Sequence, residues 1–104
     1  MARYDVYAHP DAALRKTTPY LLDVQNNYIE AVATRVVVPM RDRRTVGKLL
    51  RDLNPVFEIE GISVLLDTTA IAAFPAHLLK KPVARLVSQA GIITSALDTL
   101  FAGY

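Results

Sequence analysis

Apolar side chains recur at every second position through the first two-thirds of this chain, and at helical spacing only near its end. A period of two belongs to strands with one buried face, and a period near 3.6 to a helix with an apolar stripe. The chain is therefore expected to build a sheet first and to follow it with one C-terminal helix. Its 104 residues are expected to form one domain, 1–104, with one continuous core.

In RYDVYA, Tyr4, Val6 and Ala8 share one face, and Arg3, Asp5 and Tyr7 the other. HPDAALRKTTP reads as a polar loop. YLLDVQ then sets Tyr20, Leu22 and Val24 against Leu21, Asp23 and Gln25. RVVVPM is a continuous β-branched run, as in a strand covered on both faces. Pro39 has no N–H to give to a ladder, so a bulge or an unpaired position is expected there. VFEIEGISVLLD reads as a hairpin bent at Gly61, with Phe57 and Ile59 facing one way and Ile62, Val64 and Leu66 sharing a face. A short strand is expected from Ala70 to Phe74, ending at Pro75.

From Pro82 to Phe101 the spacing predicts the helix, with proline at its first position. Val83, Leu86, Val87, Ala90, Ile93, Leu97 and Phe101 fall on one stripe. Ile92 points away from it, among polar neighbours. Five or six mostly antiparallel strands with one helix make a small barrel or a curled sheet.

The chemistry these residues offer is narrow. With no cysteine, thiol catalysis, disulfides and thiolate metal sites are excluded, and a cytoplasmic location is the expectation. The longest apolar stretch, GISVLLDTTAIAAFPAHLL, is interrupted by Asp67, two threonines, Pro75 and His77, so no membrane span is expected. His9 and His77 are the only histidines, and neither has a nucleophile or an orienting carboxylate close by in sequence. No His, Asp or Glu group has ligand-like spacing, so neither metal nor cofactor is expected. Arg41, Arg43, Arg44, Lys48 and Arg51 form a basic run that could meet phosphates. Asp42 and Asp52 interrupt it, no aromatic is interleaved, and the net charge is only +2, which reads as a solvated connection without sequence-specific nucleic-acid binding.

Two places invite a partner instead. Tyr28 and Ile29 stand in a polar loop, either packed back onto the sheet or exposed as an apolar spot for a partner peptide. The helix runs on into Phe101, Ala102, Gly103 and Tyr104. Gly103 suits a left-handed helix cap with Tyr104 folded back, which needs no function. Asp98 fits less well, because a carboxylate near the negative end of the helix dipole is disfavoured by about 0.3–1 kcal/mol. A cation from another element, subunit or partner would relieve it. Together with Ile92, this predicts a helix covered beyond its own sheet.

The segment YLLDVQNNYIEAVATRVVVPM resembles the N-terminal signature of the CcdB toxins, which runs from a strand ending in Asp-Val-Gln through a polar loop to Arg, β-branched residues and Pro. LLDTTAIAAFPAHLL is similar to that family's Thr-rich stretch, and the helix closing on Gly-Tyr is similar to its terminal helix. The resemblance implies a homodimeric, SH3-like barrel that poisons the breakage-and-reunion subunit of DNA gyrase by binding and is neutralised by a partly disordered, CcdA-like antitoxin. It also implies gyrase contact through Ala102, Gly103 and Tyr104, and antitoxin contact through Tyr28 and Ile29. Ile92, Asp98 and Phe101 are assigned to the dimer interface. Where the family carries Trp-Gly-Ile, this chain has Ala102, Gly103 and Tyr104, so a large anchor is missing.

Two other functions stay open at this level. Toxins on the same barrel cleave RNA, for which His9 or His77, Asp67 and the basic run would have to converge. A protein that binds an antitoxin but no longer poisons anything is the other.

Overall fold

A computed structural model describes residues 1–29 and 31–102. Seven strands form one sheet: β1 (Asp5–Ala8), β2 (Tyr20–Asp23), β3 (Thr34–Asp42), β4 (Val56–Ile59), β5 (Ile62–Leu66), β6 (Ala72–Pro75) and β7 (Ala84–Arg85). The five or six expected strands are all present, and β7 adds a two-residue pairing. Every pairing is antiparallel, in the order β4-β5-β3-β2-β1-β7 with β6 also on β3. The sheet curls into a nearly closed small barrel of the SH3-like kind, followed by helix α1 (Ala90–Ala102).

The two-residue period sorts the side chains into two clusters. Val6, Tyr20, Leu22, Val24, Val38, Met40, Phe57, Ile59, Val64 and Leu66 form the main core with Leu86 and with Ile93 and Ala96 of α1. Tyr7, Leu21 and Val37, their alternate neighbours, face the other way and meet Leu79 and Phe74. RVVVPM is thus covered on both faces, as its unbroken β-branching predicts.

Pro39 corrects the expected bulge. It stays in register opposite Leu21, between the pairs Leu22–Val38 and Tyr20–Met40. On its other edge β3 pairs with β6 through Val37 and with β5 from Met40 onward. Pro39 sits at this change of partner, where no N–H is required, and its carbonyl accepts from the Asp67 amide at 2.8 Å.

The hairpin between β4 and β5 closes through Glu60 and Gly61, with φ of 51° and 80°. Two left-handed residues are what a tight I′ turn requires. The Tyr20 hydroxyl donates to Glu60 at 2.8 Å and ties the turn to β2. A Cβ at Gly61 would meet nothing within 4 Å, so Gly61→Ala carries backbone strain alone. We expect it to destabilise by about 1–2 kcal/mol, read as a lower thermal midpoint with an unchanged CD spectrum.

The helix starts later than its periodicity suggests. Residues 83–86 pair with the sheet instead: Val83 donates to the Val6 carbonyl at 2.8 Å and Leu86 to the Tyr4 carbonyl at 2.9 Å. Arg85 adds an ion pair to Asp5 at 3.0 Å. These bonds close β7 on β1, and α1 begins only at Ala90. Tyr4 is held with a positive φ of 75°, unusual for a bulky residue, between that Leu86 bond and its own donation to the Asp23 carbonyl at 2.7 Å.

With the later start, the buried line of α1 is Ile93 and Ala96, flanked by the half-buried Leu97 and Leu100. Val83, Val87 and Phe101, expected on the stripe, are exposed.

Candidate functional site

The loop after β2 is built by its polar residues so that Tyr28, Ile29 and Val32 are left outside. Asp23 is fully buried and receives Arg35 twice, from Nε at 2.7 Å and from a terminal nitrogen at 2.9 Å. Its Oδ1 also accepts from the Gln25 amide at 2.9 Å. The buried Gln25 side chain then donates to the Ile29 carbonyl at 2.8 Å and accepts from the Val36 amide at 2.9 Å. Asn26 accepts from the Tyr28 amide at 2.8 Å, and Asn27 from the Arg3 amide at 2.7 Å. The result is a braced loop with Tyr28 at its tip, 96% exposed, and Ile29 half-exposed beside it. Neither side chain packs back onto the barrel. Met1 and Val32 are exposed too, and line a hollow of about 350 Å³ with Arg35 and Ala76. Val32 carries no signal in the sequence, where a single apolar residue in a loop makes no pattern.

The second exposed apolar surface lies on α1. Asp98 and Ala102 stand opposite the buried line, with Ile92 and Phe101 on its two flanks, 52% and 73% exposed. Ile92, Ser95, Asp98 and Thr99 face Arg51, Asp52 and Pro55 across a groove of about 540 Å³. Arg51 therefore supplies a cation to the Asp98 groove from another element of the same chain, without closing to an ion pair among the described residues. Ala102 ends the helix in solvent, and Gly103 and Tyr104 lie outside the described residues.

The residues considered for RNA cleavage are dispersed. His9 is buried, accepts from the Asp11 amide through Nδ1 at 3.0 Å, and meets Phe74 edge-on at 5.8 Å. Burial, reinforced by the Arg15 charge, lowers its pKa against the opposing pull of Asp11. The hollow it lines contains neither Asp67 nor His77, and the groove lined by Arg51 contains neither of them either. The basic run is partly tied down. Arg44 bonds Asp42 at 2.8 Å and holds its carboxyl down at about 2, while Arg43 donates to the Val46 carbonyl at 3.0 Å. Among the described residues, no three His, Asp or Glu side chains are grouped to hold a metal. Nor is any helix there long and apolar enough to cross a membrane.

Comparison with known proteins bears on the chain as a whole. The family model described as CcdB protein matches residues 3–103. The chain belongs to the CcdB family. It is thereby a toxin-type protein of toxin–antitoxin modules, and the strand-loop-strand signature and the terminal helix both fall within the matched span. No curated protein matches the chain. Within this CcdB-family chain, the Asp-Val-Gln signature has a structural meaning. Its Asp and Gln form the buried brace, and the apolar pair that follows is what the brace presents.

Proposed function

We propose that this CcdB-family protein acts in the cytoplasm as a homodimeric, non-enzymatic toxin. It binds the breakage-and-reunion subunit of DNA gyrase and stabilises the state in which DNA is cleaved. The end of α1 makes the gyrase contact, through Ala102, Gly103 and Tyr104. Ile92, Asp98 and Phe101 meet a second copy. The Tyr28–Ile29 tip receives an antitoxin whose disordered arm folds as it binds. The observation that supports the reading is the terminal helix of a chain that belongs to this family, whose Phe101 is 73% exposed on the single protomer and leaves an apolar surface for a second copy beside the residues assigned to gyrase. A ligand traps one state of an enzyme only by binding it better than the others. An apolar projection inserted into the open, cleaved form meets that requirement, and it requires no catalytic group.

The test is a cleavage assay with purified protein, gyrase, supercoiled plasmid and ATP. Linear DNA released by protein denaturation is the expected result, rising with toxin concentration. Supercoiling that proceeds unchanged at saturating protein would leave a family member that has lost its target, with Ala102 in place of the missing anchor as the first suspect.

A further inference from the structure

On the face of the sheet away from α1, His9, Pro10, Asp11, Leu14, Phe74 and Leu78 enclose an open hollow of about 370 Å³. Pro10 and Leu78 continue into a second hollow of about 190 Å³, completed by Ala8, Arg15, Lys80 and Lys81. The two form one depression with an apolar half and a cationic half. Leu14 is half-exposed at the rim, and Phe74 and Leu78 are only partly covered. Asp11 is the acid here, and its carboxylate is already engaged by the Ala13 amide at 2.9 Å.

His9 supplies a directed donor. Its Nδ1 accepts from the Asp11 amide, so the neutral ring carries its proton on Nε2. Nε2 has no hydrogen-bond partner among the described residues, and His9, 6% exposed, lines the floor of the hollow. The loop that carries Leu14 and Arg15 is fastened in place, with the Leu14 carbonyl accepting from Thr18 at 2.7 Å and Arg15 Nε donating to the His9 carbonyl.

We propose that this depression docks a short acidic peptide segment led by one large apolar side chain. The side chain lies on Leu14, Phe74 and Leu78, and the carboxylates that follow meet His9, Arg15, Lys80 and Lys81. Charge complementarity identifies the occupant. Three of the chain's twelve basic residues gather on one side of an apolar floor sized for one or two side chains. A nucleic acid needs a stacking platform and a longer basic track, and a membrane needs cations spread around an apolar patch. The surface lies across the sheet from α1, so the inference does not depend on gyrase binding.

The probe is the fluorescein-labelled, end-blocked peptide Phe-Asp-Glu-Asp-Glu, followed by fluorescence anisotropy against the full chain. Saturable binding is expected. It should weaken about tenfold when the acids become Gln and Asn, and about tenfold again in the double variant Lys80→Glu, Lys81→Glu. Leu14→Asp, at an exposed rim position, tests the apolar half and should weaken binding by a similar factor of about ten. Amide chemical-shift changes centred on His9, Leu14 and Leu78 should accompany binding. The proposal fails if the peptide does not saturate, if the neutral peptide binds equally, or if both variants bind as the parent does. It also fails if phosphatidylglycerol vesicles bind here and the peptide does not.

Discussion

Replacing Asp23 by alanine should remove about 3–5 kcal/mol of stability, the loss expected when one partner of a buried ion pair is deleted. Arg35 is 4% exposed and Asp23 not at all, so the orphaned guanidinium would keep only its long contact to the Gln25 carbonyl at 3.5 Å and the narrow edge it shows to the hollow beside Val32. Its two bonds to the carboxylate go together, and the Gln25 amide loses its acceptor as well. Against a total of about 5–15 kcal/mol for a domain of this kind, that loss brings the protein close to unfolding at ambient temperature. Urea denaturation followed by CD reads it directly, as a midpoint lowered by about 2 M or more at an unchanged slope. The double variant Asp23→Leu, Arg35→Met should recover most of the loss, because it leaves no charge buried. A single variant within about 1 kcal/mol of the parent would mean that Arg35 finds other partners, and would overturn this account of the brace. The double variant should still loosen the loop, since Asp23 also orients Gln25. Faster amide exchange from residues 25–29 is the sign to look for.

That brace marks the boundary of what the sequence could disclose. Alternation placed Tyr20, Leu22 and Val24 on one face and found the hairpin at Gly61, because strand period and turn chemistry are local properties. The partnership of Asp23 with Arg35 is not local. The two are twelve residues apart and meet only because β2 and β3 pair in register. The later start of α1 has the same origin. The periodicity from Val83 onward is helical by pattern, but Val83 and Leu86 give their amides to the first strand, and tertiary pairing overrides the local preference. Phe101 went astray with it, since the buried line now passes through Ala96 and Leu100. The exposed pair Tyr28 and Ile29 was visible as an anomaly in a polar loop, though not which way it pointed. The depression around His9 joins residues more than sixty positions apart, so no motif could announce it.

Removing residues 102–104 should abolish gyrase trapping while leaving the fold almost untouched. Ala102 is exposed, and the buried residues Ile93 and Ala96 lie well inside the helix. Their place in the main core survives the truncation, so thermal stability should change by no more than about 0.5 kcal/mol. Target binding is another matter. Terminal anchors at protein interfaces are worth about 2–4 kcal/mol each, or about 30- to 1,000-fold in affinity. Losing Tyr104 and Gly103 together should place the protein concentration that yields half-maximal linear DNA beyond about a hundred times that of the full chain. The indole missing at Ala102 sharpens this expectation, because Tyr104 is then the only aromatic after Phe101. A truncated protein that traps cleaved DNA as well as the full chain would move the gyrase contact elsewhere, with the exposed Tyr28–Ile29 tip the next surface to probe. If stability fell steeply instead, the last residues would be structural, and the open helix end would lose its meaning as a docking projection. A thermal melt and a cleavage titration on the same two preparations separate those outcomes.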